Sequence, residues 1–336
     1  MDLNDLNKIL ADQPAYRYRQ IKEAVFKHLI SGWDEAKNLP KELREKLIDA
    51  CPLEIMAEEF QDKRSAKAAI RLADGNIIES VLINNNDGRH TVCVSSQVGC
   101  PVGCGFCATG KIGFKRNLSA DEIVLQVLYF ARQLQVAGDR VDNVVFMGMG
   151  EPFLNYENVF KAVEILNDKE GINIGARSIS ISTVGIIEGI KKIAKFPLQV
   201  NLAISLHAPN DKLRDQLIPI NKKYPIKRLW QALEGYLEET NRKVMIEYVM
   251  IAGINDSDKL AEELAQLIGQ LPKKLVMVNL IPYNPTGDYK ASPASKLEAF
   301  KNILGRSGIE AVVRESLGQN IAGACGQLAG KNPAGR

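Results

Sequence analysis

The sequence predicts an α/β protein in which a parallel sheet is covered by helices and curls into a full or partial β/α barrel. Two observations carry this. Short apolar runs alternate with amphipathic helical stretches from residue 91 to residue 313. The runs are continuous, as expected of strands buried on both faces. A third observation sets the remainder apart, because residues 1–60 show helical spacing only. About six strand–helix units suit a barrel. A doubly wound open sheet would satisfy the same rhythm.

The elements follow in order. Residues 1–60 form a helical accessory domain. The stretch Gln20-Ile-Lys-Glu-Ala-Val-Phe-Lys-His-Leu-Ile spaces its apolar residues at helical intervals, and Leu43, Leu47 and Ile48 repeat this after Pro40. Residues 61–92 form a β-hairpin extension, since AKAAIRLADGNIIESVLI alternates about the turn Asp74-Gly75, and NNNDG at 84–88 marks a second turn. Residues 93–330 form the core, followed by a tail at 331–336. Core strands are expected at 91–95, 143–147, 178–182, 200–206, 244–251, 275–281 and 309–313. Ser119-Ala-Asp-Glu122 fits a capping box at the head of the helix after the first of these.

Composition excludes several classes. The 336-residue chain has 46% apolar and 25% charged residues, ordinary for a globular protein. No apolar run is long enough to cross a membrane. The acidic N-terminus MDLNDLNKIL lacks the apolar segment of a signal peptide, which points to the cytoplasm. Six cysteines in that compartment suit metal binding or catalysis better than disulfides. The net charge of +3 permits a nucleic-acid partner without demanding one. Basic residues concentrate at 111–116 (KIGFKR) and 222–228 (KKYPIKR), and either could equally be a solvated face.

Chemistry concentrates in Cys100-Pro-Val-Gly-Cys104-Gly-Phe-Cys107, a loop after the first core strand. Gly99, Gly103 and Gly105 let it curl so that three sulfurs converge. A structural zinc site would need a fourth ligand, and the next histidine downstream is His207. A [4Fe–4S] cluster on three thiolates instead leaves one iron open to a chelating ligand such as S-adenosylmethionine. Two more cysteines stand out. Cys93 ends the first strand, and Cys325 lies among small residues in a segment read as flexible and accessible. Either could be an inert thiol. Glu79 lies on the hairpin, where a solvent-facing strand carboxylate is the plain reading.

The spacing Cys100-x3-Cys104-x2-Cys107, with Phe106 before the last cysteine, resembles the signature loop of radical SAM enzymes, whose barrel commonly has six β/α units. That resemblance implies a partial (β/α)6 TIM-type barrel carrying a [4Fe–4S] cluster. Gly150 and Glu151 in GMGEP, Ser182, Ser205-Leu206-His207 and Asn284 all follow predicted strands at one end and fit a bound S-adenosylmethionine. CVSSQVGC, MGMGEP, SLHAPN, NLIPYNP and GACGQL together are similar to the RlmN/Cfr family over residues 79–330.

The family resemblance implies a dual-cysteine radical SAM methyltransferase acting on an RNA adenine and using two S-adenosylmethionine molecules per turnover. By the same resemblance, Cys325 carries the methyl group, Cys93 forms a transient disulfide with it, and Glu79 accepts a proton. The implied substrates are 23S rRNA and tRNA. An electron donor such as a flavodoxin or ferredoxin, no membrane partner, a monomeric state and a cytoplasmic location are also implied. Methylation at C2 of adenine is the expected outcome, and a C8-type enzyme is the alternative. The stretch Arg314-Glu-Ser-Leu-Gly-Gln-Asn320 departs from the acidic run expected there. A zinc-bearing RNA-binding protein without catalysis is the third reading.

Overall fold

A computed structural model describes residues 9–287 and 289–330. The first eight residues of the helical segment and the tail at 331–336 lie outside them. Helices α1 (Ala15–Phe26) and α2 (Lys41–Ala50) form the N-terminal part. Each starts directly after a proline, whose fixed φ suits a helix entry. They bury Ile21, Val25, Phe26, Leu43 and Leu47 around Trp33, whose indole donates to the Cys51 carbonyl at 2.7 Å. Lys22 pairs with Asp168, and Arg132 donates to the Leu53 carbonyl at 2.9 Å, tying this part to the core.

Strand β1 (Ala57–Asp62) begins inside the stretch read as helical. Its sequence AEEFQD shows no apolar alternation because it is a half-exposed edge strand. It pairs antiparallel with β2 (Ser65–Arg71), which turns at Asp74-Gly75 into β3 (Ile77–Asn84). The hairpin read from the sequence is therefore part of a three-stranded meander. Strand β4 (His90–Cys93) pairs antiparallel with β3 on one side and parallel with β7 (Asn143–Phe146) on the other.

From β7 the sheet continues through β8 (Ile179–Thr183), β9 (Asn201–Ser205), β10 (Val244–Met250), β11 (Val276–Pro282) and β12 (Glu310–Val313), every pair parallel. The ten-stranded order is β1-β2-β3-β4-β7-β8-β9-β10-β11-β12. Strictly sequential order rules out the doubly wound alternative, whose strand order reverses at a switch point. The described strands pair as an open array in which β4 and β12 are not partners. Helices α4 (Ala120–Val136), α5 (Tyr156–Asn167), α6 (Ile187–Ala194), α8 (Ile226–Thr240), α9 (Asp258–Ile268) and α10 (Ala294–Arg306) alternate with these strands, and α7 (Asp211–Leu217) lies in the loop before α8. The capping box forms as read: Glu122 N–H donates to Ser119 Oγ at 3.2 Å, and Ser119 N–H donates to Glu122 Oε2 at 2.9 Å. The sequence reading did not contain the small hairpin of β5 (Gln97–Gly99) and β6 (Phe114–Asn117), which brackets the cysteine loop and the short helix α3 (Ala108–Lys111).

Candidate active site

The cysteine loop is held by its own backbone. Cys100 N–H donates to the Gly113 carbonyl at 2.8 Å, and Cys107 N–H donates to the Cys104 carbonyl at 3.1 Å. At Gly99, φ is +77° and a Cβ would lie 1.9 Å from the Gly113 oxygen, so only glycine fits. Cys104 is buried, while Cys100 and Cys107 are half-buried. Burial pushes the Cys100 thiol up to about 12 and raises Cys104 as well, where the charge of Arg214 works in the opposite direction. A metal centre must therefore displace protons when it binds. Among the described residues no three His, Cys, Asp or Glu side chains meet as ligands of one ion. A [4Fe–4S] cluster takes each thiolate on a separate iron, so it does not require the three sulfurs to converge on one ion.

Cys107 lines a cavity at the C-terminal ends of the strands, together with Gly150, Glu151, Ser182, Ser205 and His207. This is where barrel folds place chemistry. Glu151 accepts from Phe153 N–H at 3.0 Å and Val184 N–H at 2.8 Å, bridging the loops after β7 and β8. Burial lifts its carboxyl to about 7. Gly150 has φ +103°, and a Cβ there would lie 2.6 Å from Gln97 Cβ. Ser182 and Ser205 share a hydrogen bond of 3.1 Å across β8 and β9. His207 accepts from Val249 N–H through Nδ1 at 3.0 Å, and burial takes its pKa down to about 3. It is therefore a neutral ring whose Nε2 is left as donor.

Two cavity features were not foreseen. Glu247 lines the same cavity, takes a 2.7 Å bond from Asn279 Nδ2 and is lifted to about 7 by burial. Arg214 on α7 is fully buried and donates to the carbonyls of Val184, Leu206 and Ser205 at 2.6, 3.1 and 3.3 Å. It fastens the ends of β8 and β9 that shape the cavity. An arginine in the polar stretch DKLRDQL gives no local hint of this.

Residues 94–265 match the Radical SAM superfamily. A dual-specificity RNA methyltransferase RlmN of Alkalilimnicola ehrlichii is 41% identical, with 98% of this chain and 93% of the relative covered. Relatives also named RlmN in Dictyoglomus thermophilum and Thermotoga neapolitana are 44% and 46% identical, covering 97% and 93% of this chain and 94% and 91% of their own. The crystal structure of a radical SAM methyltransferase from Sphaerobacter thermophilus superposes with a TM-score of 0.93 at 45% identity over 98% of both chains.

The chain belongs to the RlmN/Cfr family of radical SAM enzymes.

As a radical SAM enzyme it works with S-adenosylmethionine and a [4Fe–4S] cluster. The three thiols, the glycine-walled cavity and Glu151 fit that pair. In this RlmN/Cfr chain Cys93 and Cys325 stand near each other. Cys93 is buried at the end of β4, and its thiol is raised by burial first and by the charge of Cys325 second. Cys325 lines the cavity and keeps exposed surface, while the protein around it raises its thiol pKa, with Glu247 adding to the effect.

The segment around Cys325, read from its small residues as flexible, is hydrogen-bonded to distant parts of the chain. Ala108 N–H donates to the Gly326 carbonyl at 2.7 Å, Thr109 Oγ1 to the Leu328 carbonyl at 2.6 Å, and Asn284 Nδ2 to the Cys325 carbonyl at 3.1 Å. Its backbone groups are satisfied by distant parts of the chain, so local composition was a poor guide.

Besides Cys93, Cys100 and Cys104, three expected site residues sit outside the cavity lining. Asn284 uses its amide oxygen for Gln319 Nε2 at 2.7 Å and its amide nitrogen for the Cys325 segment. Leu206 is fully buried, its N–H donating to the Glu247 carbonyl at 3.1 Å. Glu79 is buried, not solvent-facing. Its Oε1 pairs with Lys67 Nζ at 2.8 Å, and its Oε2 accepts from Ala329 and Gly330 N–H at 2.6 and 3.0 Å.

The basic stretches also separate. Arg116 is bound to Asp74 and Glu122, and Lys115 to Asn76, so the first stretch staples the β2–β3 turn onto α4. Lys222, Lys223, Lys227 and Arg228 are exposed.

Proposed function

We propose that this enzyme is an S-adenosylmethionine-dependent RNA methyltransferase that methylates C2 of an adenine in the peptidyl-transferase loop of 23S rRNA and of the adenine beside the tRNA anticodon. The observation that carries the reading is the placement of two cysteines outside the cluster loop: Cys325 lines one cavity with Cys107, and Cys93 is buried within reach of the charge of Cys325. The relatives are named as RNA methyltransferases, which supports an RNA substrate. Adenine C2 is an electron-poor sp² carbon, so direct methyl-cation transfer from a sulfonium is disfavoured and a radical route is needed.

Cys100, Cys104 and Cys107 would hold the cluster, which would supply the electron for reductive cleavage of S-adenosylmethionine. Cys325 sulfur takes a methyl group from one S-adenosylmethionine and loses its proton, so two molecules are used per turnover. The S-methyl group gives a hydrogen atom to the 5′-deoxyadenosyl fragment of the second S-adenosylmethionine, its carbon bonds to adenine C2, and the adduct gives up one electron and the C2 proton. The Cys93 thiolate then attacks Cys325 sulfur, the sulfur–carbon bond breaks with its electron pair going to the carbon, that carbon takes a proton to become the methyl group, and a transient disulfide remains for two-electron reduction. The role of proton acceptor falls to Glu79 once its carboxylate leaves Ala329 and Gly330; held there, it is an anchor. Electrons come from a donor such as a flavodoxin or ferredoxin, and the enzyme acts as a cytoplasmic monomer.

The test is mass spectrometry of reconstituted enzyme reacted with S-adenosylmethionine and an unmodified rRNA fragment. Methyl on adenine C2, lost in Cys325→Ala, is expected. Methyl at C8 would move the enzyme to the C8 type. Cleaved S-adenosylmethionine with no methyl on RNA or Cys325 would overturn the assignment.

A further inference from the structure

A groove runs between α5 and α6. Tyr156, Phe160 and Phe196 floor it, and Lys191, Lys192 and Lys195 rim it. The three lysines are exposed, and the rings are partly so. Phe160 and Phe196 stack at 4.5 Å with 23° between their planes, and Lys192 Nζ stands 3.2 Å from the Tyr156 ring centroid.

Among the described residues none of these lysines has a carboxylate partner. The one carboxylate in the groove wall, Glu188, is bound to Tyr224 and already sits under the charges of Lys223 and Arg228. The positive charge continues there, since α6 packs on α8 and the exposed Lys222, Lys223, Lys227 and Arg228 precede and open α8. With a net charge of only +3 on the whole chain, this flank concentrates the cations.

Lysines alone would make a solvated face, and aromatics alone the rim of a core. Together they match a nucleotide, which offers a flat π-face and an anionic phosphate. One buried side chain, Phe153, stands between the groove and the cavity. Phe153 N–H bonds Glu151 in the cavity wall at 3.0 Å, and the Phe153 ring meets Phe160 edge-on at 6.3 Å. A strand whose adenine is extruded into the cavity must hold its neighbouring nucleotides on the adjoining surface.

We infer that this groove is a second RNA site, taking an unpaired nucleotide near the target adenine, with its base on the Tyr156–Phe160–Phe196 floor and its phosphates on Lys191, Lys192 and Lys195. This rests on the RNA-methyltransferase reading above.

The experiment is fluorescence anisotropy of a labelled RNA stem–loop with unpaired nucleotides around the target adenine, titrated with full-length reconstituted enzyme at several salt concentrations. Two variants are compared with wild type, the triple Lys191→Gln, Lys192→Gln, Lys195→Gln and the single Phe196→Leu. Self-methylation of Cys325, which needs no RNA, checks that both variants keep the fold and the cavity. The triple variant should lose about tenfold or more in affinity and flatten the slope of log K against log salt by about 2. Phe196→Leu should weaken binding by roughly tenfold with the slope unchanged. Wild-type affinity and slope in both variants would overturn the groove site while leaving the RNA reading standing. A loss in the triple variant alone would reduce it to phosphate contact and overturn base stacking. Failure of wild type to bind the RNA at all would overturn the RNA reading and this site with it.

Discussion

Glu79→Gln removes the charge that neutralises Lys67 and leaves the ammonium enclosed. The pair is 2.8 Å apart, and neither side chain has exposed surface. What remains near Lys67 Nζ is the Ala322 carbonyl at 3.5 Å and the Phe60 ring at 5.4 Å, neither a substitute for a carboxylate. Removing one partner of a buried pair costs roughly 3–5 kcal/mol. The glutamine oxygen still accepts from Ala329, but a bond to a neutral acceptor is weaker, which adds about 1 kcal/mol. A loss of this size is a large share of the roughly 5–15 kcal/mol by which such folds are stable. Lys67→Met combined with Glu79→Leu removes both charges and should recover most of the pair term. It leaves the Ala329 and Gly330 N–H groups without their acceptor, so the Cys325 segment should stay loosened. The assay is denaturant unfolding of all three proteins, with hydrogen exchange followed on the peptide spanning 322–330. Faster exchange there in both variants, and a much smaller stability loss in the double variant, are expected. A Glu79→Gln protein within about 1 kcal/mol of wild type, or unchanged exchange at 322–330, would refute the clamp.

Four other predictions concern the site and its surroundings. Cys93→Ala should methylate Cys325 yet stall with RNA covalently attached, seen as a denaturation-resistant band shift; free methylated RNA from this variant would remove Cys93 from the release step. Burial raises the Glu151 carboxyl from 4.5 to about 7, so the stability it contributes is full below 4.5 and is lost as pH rises through about 7. Its ionised form attracts the ligand's ammonium, so S-adenosylmethionine affinity should climb between pH 6 and pH 8, and Glu151→Gln should flatten that rise while Glu247→Gln keeps it. Arg116→Ala cuts a half-exposed ion-pair staple, so it should cost about 1 kcal/mol or less and leave RNA affinity intact. Neutralising Lys222, Lys223, Lys227 and Arg228 should weaken RNA binding and its salt dependence, and equal binding would remove that flank from the interface.

Residues 91–313 declare a helix-covered parallel sheet because apolar period and strand length are local properties, written in adjacent residues. The same holds for the cysteine loop, whose three thiols lie within eight residues of chain, and for the Ser119–Glu122 cap. Barrel against doubly wound sheet was not legible, because strand order is set by which strands pair, and only the sequential pairing from β4 to β12 decides it. Glu79 read as a surface carboxylate because its partners in the Cys325 segment lie 250 and 251 residues downstream. Lys115 and Arg116 read as a basic patch because Asn76 and Asp74, which engage them, reach them only across the sheet. The cysteines were thus the sequence's own disclosure. Their surroundings, from the pinned Cys325 segment to the buried guanidinium of Arg214, came from long-range contacts that leave no trace in local spacing.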